Sequence, residues 1–457
     1  MRLHRALCAF VLVACGSGPP RGVESAEPHA AIRDGAAAPA TEAPKPAPTS
    51  LAASEGCSPL QLAKVEPLAD HIDAAIPELQ DFTESNQMDA FYRKLAALAR
   101  GRRKERVRIG VWGDSNMTRD FITGELRRVL QRQFGDGGHG FVALGKPWNW
   151  YRHEDVKHGS DDGWESMNMS TKQTVDRLYG VGGVAAQSVR TNARVWVATA
   201  EAGAAVGTRA GHFEILYLKH PRHGQFEVLI DGQSRATIDT AGDAITAAQA
   251  EWDVSDGAHR IDFVSRKSPV RLLGAVLETS TPGIVVDSLG IGGVNTELIA
   301  RGDEALTAQT LRMRNYDLMM LLTGATEPDA PSHDDGIRRL VANVRRELPN
   351  VPFVMMSPPD LAGGDLAHPT RVRRMNQIER RKLKAARELK LLYWDFRGAM
   401  GGEQSIVRFT EHKMAWKDFI HLTGKGGHAM GRRLAIAVLN GFQSWLAAHP
   451  SDACGDN

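Results

Sequence analysis

Val107-Arg108-Ile109-Gly110-Val111-Trp112-Gly113-Asp114-Ser115-Asn116 is the stretch from which the rest of the chain is read. A short apolar strand runs into a Gly-Asp-Ser-Asn turn. A helical pattern follows, with Ile122, Leu126, Val129 and Leu130 at i, i+4, i+7 and i+8. Strand, sharp turn and amphipathic helix form the opening unit of an α/β domain. Ser115 sits in the turn, its hydroxyl above the strand end. The first free N–H groups of the helix would point at a developing oxyanion there.

Upstream, residues 60 to 105 read as helical, with Phe91, Leu95 and Leu98 at helical spacing. The basic run from Arg100 to Arg106 reads as a solvated turn ahead of the strand. Downstream, residues 151–283 become β-like. The runs 212–218 and 225–230 are strands, and Asp231-Gly232 after the second is a hairpin turn. Arg260 to Val264 and Val270 to Leu277 continue in kind, which suggests an inserted β-sandwich. From 284 onward strands alternate with helices again. Ile284 to Val286, Leu318 to Leu322 and Phe353 to Met356 are buried-strand candidates, with helices over 335–348, 370–390 and 426–447. The expected architecture is a parallel-sheet α/β domain split into 57–150 and 284–454, hosting the sandwich at 151–283.

Composition narrows the function classes. At 457 residues the chain exceeds one ordinary core, and 42% hydrophobic with 24% charged residues excludes disorder throughout. Lys plus Arg number 56 against 54 Asp plus Glu, a balance that argues against a dedicated nucleic-acid binder. No apolar run reaches the roughly 18 to 20 residues of a membrane span. Arg2, His4 and Arg5 precede a short apolar stretch, Ala6 to Ala14, which suits a secretory signal over residues 1–14. Its end, Leu12-Val13-Ala14-Cys15, resembles the lipobox of bacterial lipoproteins, which implies acylation of Cys15 and a membrane anchor facing the periplasm or cell surface. Residues 15–56, rich in Ala and Pro, read as a flexible tether. Cys57 and Cys454 bracket the folded region, and in an oxidising compartment they are expected to form a disulfide.

A serine becomes a nucleophile at neutral pH when a histidine held by a carboxylate takes its proton. Asp418 and His421, in Trp416-Lys417-Asp418-Phe419-Ile420-His421-Leu422-Thr423, supply that pair on one loop. In this order and at these positions the residues resemble the SGNH (GDSL-type) hydrolase superfamily. Gly113-Asp114-Ser115 matches its first block, and Asp418 with His421 its last. The resemblance implies a three-layer domain around a parallel sheet. It also assigns Gly293, in Asp287-Ser288-Leu289-Gly290-Ile291-Gly292-Gly293, as the second-block glycine whose N–H joins that of Ser115 in the oxyanion hole.

The third block departs from the family. Where Gly-x-Asn is usual, this chain has Gly324-Ala325-Thr326-Glu327. Thr326 offers a hydroxyl in place of an amide, and is expected to serve as a weaker donor unless Asn116 or Asn295 is recruited. Asn116 is a second departure, standing where the nearest branch often has His. That branch comprises peptidoglycan O-acetylesterase-like proteins with an inserted carbohydrate-binding-like β-sandwich. The phrases that look like it are Leu126-Arg127-Arg128, the run from Phe134 to Phe141, Pro358-Pro359-Asp360, Trp394-Asp395-Phe396 and Ala399 to Gly402. The resemblance implies a serine esterase acting on an O-acylated envelope polysaccharide, needing neither metal nor organic cofactor. An O-acetyltransferase would use the same triad, and a glycan-binding scaffold would keep the fold without the chemistry. Trp148, Trp150, Tyr151 and Trp164 are either a glycan platform or a seam between domains, the seam being the simpler reading. His220, His223 and His412 lack metal-ligand spacing, and Gly290 to Gly293 fails the dinucleotide pattern.

Overall fold

The computed structural model describes residues 60–449. The signal, the tether, Cys15, Cys57 and Cys454, with the expected lipid and disulfide, lie outside the described residues.

Val107–Gly113 is an inner strand of a parallel sheet, next to its edge. Ile284–Gly290 pairs with it on one side and Leu318–Leu322 on the other. Phe353–Met356 and Leu392–Trp394 extend the sheet in parallel, and Gln80–Asp81 closes that edge antiparallel. These strands read as unbroken apolar runs because both faces are covered. Val107, Ile109 and Val111 face one core, under the helices Gln87–Ala99, Phe121–Phe134 and Gly424–Ala448. Trp112, Met319, Leu321, Phe353 and Met355 face the other, under Glu304–Arg314, Pro331–Glu347 and Arg374–Glu388. The period-two alternation along each strand thus builds three layers.

Between the first two of these parallel strands stand two antiparallel sheets that share an apolar core of Val195, Phe213, Phe226, Ile261, Phe263 and Leu272, among others. The turn at Asp231-Gly232 joins Gln225–Ile230 to Gln233–Asp239, with φ of 52° and 78°, the left-handed pair a two-residue hairpin requires. Two sequence expectations need correction. The sandwich does not wait until 151, because Gly138–Val142 already pairs with Arg271–Glu278. Its glycines disguise it, since Gly138 and Gly140 pack against backbone and Asp287 where no side chain fits. The helix expected over 60–105 is confined to Gln87–Ala99. Pro67 and Pro77 deny the upstream segment a continuous helix, and its apolar side chains Leu60, Leu62, Val65 and Leu68 pack on the core without one.

Sandwich and sheet are joined by a buried ionic knot at the start of the strands. Arg314 donates to Asp287 on the parallel sheet, at 2.8 and 3.1 Å, and to Glu278 and Glu214 on the sandwich, at 3.1 and 3.3 Å. Arg108 forks onto Glu278 at 2.8 and 2.9 Å. His212, Glu214 and Glu278 are close enough together to bracket a cation, but Arg314 and Arg108 already supply that charge.

Candidate active site

The opposite ends of the strands carry the chemistry. Gly113 ends the strand Val107–Gly113, and Ser115–Met117 forms a single 3₁₀ turn capped by Asp114. Met117 fills the space between two strand ends, and only glycine fits there. A Cβ on Gly113 would stand 2.1 Å from Met117 Cγ, and one on Gly290 2.3 Å from its Cβ. Asp114, wholly buried, accepts from Asn116 N at 3.1 Å through one oxygen and from Gly324 N at 2.9 Å through the other. The first-block aspartate therefore moors the third-block loop.

His421 Nε2 lies 2.9 Å from Ser115 Oγ, and its Nδ1 lies 2.8 Å from Asp418 Oδ2. The second Asp418 oxygen accepts from Ile420 N at 2.9 Å and His421 N at 3.0 Å. Partial burial pushes the Asp418 carboxyl up. The hydrogen bonds from the His421 ring and these two N–H groups outweigh it and hold the carboxyl below the ordinary carboxylate range. An ionised carboxylate only accepts, so Nδ1 carries the imidazole proton and Nε2 turns its lone pair to the serine hydroxyl. Both loop side chains stay open to solvent, at 40% for His421 and 44% for Asp418.

Asn116 does more than the sequence reading allowed. Its amide donates to Ile420 O at 3.2 Å and its carbonyl accepts from Leu422 N at 2.8 Å, gripping the catalytic loop on both sides of His421. Asn116→Ala is expected to lower kcat about 10- to 100-fold with little change in KM, because a misplaced base slows the chemical step more than binding. Steady-state kinetics on p-nitrophenyl acetate check this, and an unchanged kcat would refute the grip.

The N–H groups of Ser115 and Gly293 have no backbone acceptor among the described residues. Gly293 has φ 74°, a left-handed conformation that suits glycine, and a Cβ there would press on Ser170 Oγ at 2.9 Å. The role expected for Thr326 needs correction. Its hydroxyl donates to Val294 O at 2.6 Å, so its one proton ties the third block to the second instead of facing an oxyanion. Both ends of the Asn116 amide are also engaged. Asn295 differs: its Oδ1 caps the short helix Thr296–Ala300 through Leu298 N at 2.9 Å. Its NH2 makes one long contact, 3.5 Å to Thr326 O.

Behind this rim lies a cluster that sequence reading missed. Lys382 is fully buried and donates to the backbone of Thr323 and Met356 and to the Thr323 hydroxyl. Glu327 accepts from Thr296 N at 2.8 Å, and its other oxygen lies 2.7 Å from His333 Nδ1. Burial would raise the Glu327 carboxyl, but His333, Lys382 and Thr296 hold it at about 2. A folded value below the unfolded one stabilises above about pH 4.5 and is lost as pH falls toward 2. Glu327→Gln should therefore cost most stability near neutrality, with the gap to the parent closing between pH 4.5 and 2 in urea titrations. A pH-independent gap would contradict this. The signal for Lys382 was its spacing. It falls four residues after Ile378 and three before Ala385, on the apolar face of a helix otherwise rich in charge.

A parallel sheet with the serine turn after an inner strand, a glycine loop after the edge strand beside it and an Asp-x-x-His loop near the end is the fold that the resemblance to SGNH hydrolases implies. A solved structure of a peptidoglycan O-acetylesterase shares it, with a TM-score of 0.68 at 22% identity over 80% of this chain and 99% of that one. A family two carbohydrate esterase from Clostridium thermocellum aligns with a TM-score of 0.27, at 10% identity over 61% of this chain and 98% of that one. A putative GDSL-like lipase from Parabacteroides merdae gives 0.28, at 16% identity over 34% and 73%. Both are too loose to add to the first. No protein-family model and no curated protein matches the sequence.

Proposed function

We propose that the protein is an exported serine esterase that removes acetyl groups from a cell-envelope glycan, peptidoglycan first. The observation that carries this reading is the hydrogen-bonded chain from Asp418 through His421 to Ser115, ending beside two uncommitted N–H groups. Ser115 Oγ attacks the ester carbonyl as its proton passes to His421 Nε2, and Asp418 stabilises the imidazolium. The carbonyl oxygen becomes an oxyanion held by the Ser115 and Gly293 N–H groups. Collapse expels the sugar hydroxyl, which takes the proton back from His421. Water, activated by the same histidine, then releases acetate. The solvent exposure of His421 and Asp418 favours water over a second sugar hydroxyl as acceptor, hence hydrolysis over transfer. The solved peptidoglycan O-acetylesterase supports acetylated peptidoglycan as the substrate to try, and Leu12 to Cys15 supports a lipoprotein tethered near it.

The third oxyanion donor falls to Asn295. Asn295→Asp keeps an oxygen for the Leu298 cap but removes the amide, and is expected to lower kcat roughly 10²-fold or more. Thr326→Ala, which loses only the bond to Val294, should change kcat by less than about tenfold. The reverse ranking would return the role to Thr326. The function itself is tested by acetate release from O-acetylated peptidoglycan, with p-nitrophenyl acetate as the activated ester. Turnover of the activated ester alone would keep the triad and discard peptidoglycan. A folded protein silent on both would discard the esterase.

A further inference from the structure

Two tryptophans among the described residues are more than half exposed, Trp150 at 51% and Trp416 at 53%, and both border the active site. Trp416 opens the catalytic loop, its N–H bonded to His421 O at 2.8 Å. Trp150 lies on the oxyanion side, its Cζ2 3.8 Å from where a Cβ on Gly292 would stand, one residue from Gly293. The neighbouring Trp148 and Trp164 are buried in the two cores, as a domain seam requires. Trp150 has no such packing role.

From Trp150 an open groove of about 560 Å³ follows the chain through His158 to Trp196 on the sandwich. Gly159 stands opposite Trp196 in the ladder, and a Cβ there would lie 2.8 Å from three atoms of the indole. Arg260 stacks on the same ring at 4.1 Å from its centroid, so Trp196 is a fixed wall. The strand Val156–Ser160 covers roughly 13 Å, far more than an acetyl group fills.

The polar lining is selective. Asp155 is taken by Arg128 at 3.0 Å and Lys157 by Glu201 at 2.6 Å. Arg152 is exposed and has no ion-pair partner among the described residues, which leaves one uncommitted guanidinium in the groove. An indole face suits a sugar ring, and a guanidinium suits a carboxylate.

We propose that this groove binds a carboxylate-bearing glycan strand, with Trp150 stacked on the sugar beside the reacting ester and Arg152 paired with a carboxylate. The groove rests on the esterase reading for the ester it presents, but its binding is measured apart from turnover. The experiment is retention of the full chain carrying Ser115→Ala on insoluble peptidoglycan sacculi, competed by soluble polygalacturonate, by soluble peptidoglycan fragments and by neutral chitooligosaccharides. One or both acidic glycans should compete, and the stronger of them identifies the source of the carboxylate. The neutral sugar should compete at least about tenfold less well. Adding Trp150→Ala or Arg152→Ala should each weaken retention about tenfold, and Arg152→Lys should keep most of it. Urea midpoints equal to the parent's establish that the variants are folded.

No retention of the Ser115→Ala parent, equal retention of both alanine variants, or equal competition by the neutral sugar overturns the groove. Acetate release by the unmutated chain separates the two readings. A protein that binds through Trp150 and Arg152 but releases no acetate keeps the groove and loses the esterase. One that releases acetate while the variants bind like the parent loses the groove alone.

Discussion

Ser115→Ala is expected to take ester hydrolysis down about 10⁴- to 10⁶-fold in kcat/KM. The reason is local. Ser115 Oγ is the atom 2.9 Å from His421 Nε2, and the alanine methyl offers nothing to deprotonate. The residual rate would come from the Ser115 and Gly293 N–H groups, which the substitution leaves in place. His421→Ala should cost about as much, and the double variant little more, because nucleophile and base act as a unit. Ser115→Ala should leave the unfolding midpoint near the parent's, since the one hydrogen bond from this hydroxyl is that to the histidine. A fluorophosphonate should label the parent and not the variant. Hydrolysis within tenfold of the parent would mean that another group carries the reaction.

Why those residues could be read from sequence, and others not, follows from how each is held. Ser115, Asp418 and His421 sit in short local motifs whose geometry their neighbours set. The Gly113 strand end presents the serine, and a three-residue offset lets Asp418 reach His421. The parallel strands were legible for a similar reason, being apolar along their whole length. Thr326 was misjudged because its hydroxyl is committed by Val294, 32 residues away, and no local pattern records that bond. Asn116 read only as a departure from the family until the fold brought Ile420 and Leu422 to it from some 300 residues downstream. Gly138–Val142 escaped because glycine carries no strand signal, although glycine is what permits the close approach to Asp287 and Glu278. Local chemistry was visible, and commitments made across the fold were not.

Arg314→Met tests the largest such commitment. The guanidinium is completely buried and donates to Asp287, Glu278 and Glu214, drawing one carboxylate from the parallel sheet and two from the sandwich. Burial alone would push Glu278 up, yet Arg314, Arg108 and Arg106 hold it well below its ordinary range, so it stays ionised and depends on them. Methionine fills similar volume but brings no charge. Glu278 keeps Arg108, and Glu214 keeps His212 at 3.3 Å, but Asp287 is left with only neutral donors, Tyr316 OH at 2.8 Å and Phe141 N at 2.9 Å. Leaving a buried charge without its partner costs about 3–5 kcal/mol, expected as a fall in urea midpoint on the order of 1 M. Adding Asp287→Asn should recover part of that loss, because the orphaned charge disappears with it. The knot lies at the start of the strands and the triad at their ends, so the Arg314→Met molecules that remain folded should turn over p-nitrophenyl acetate at the parent's kcat. A midpoint equal to the parent's would mean that the carboxylates find other partners. A midpoint shift with an equal loss of kcat would mean that the sandwich, once loosened, releases the Gly293 loop.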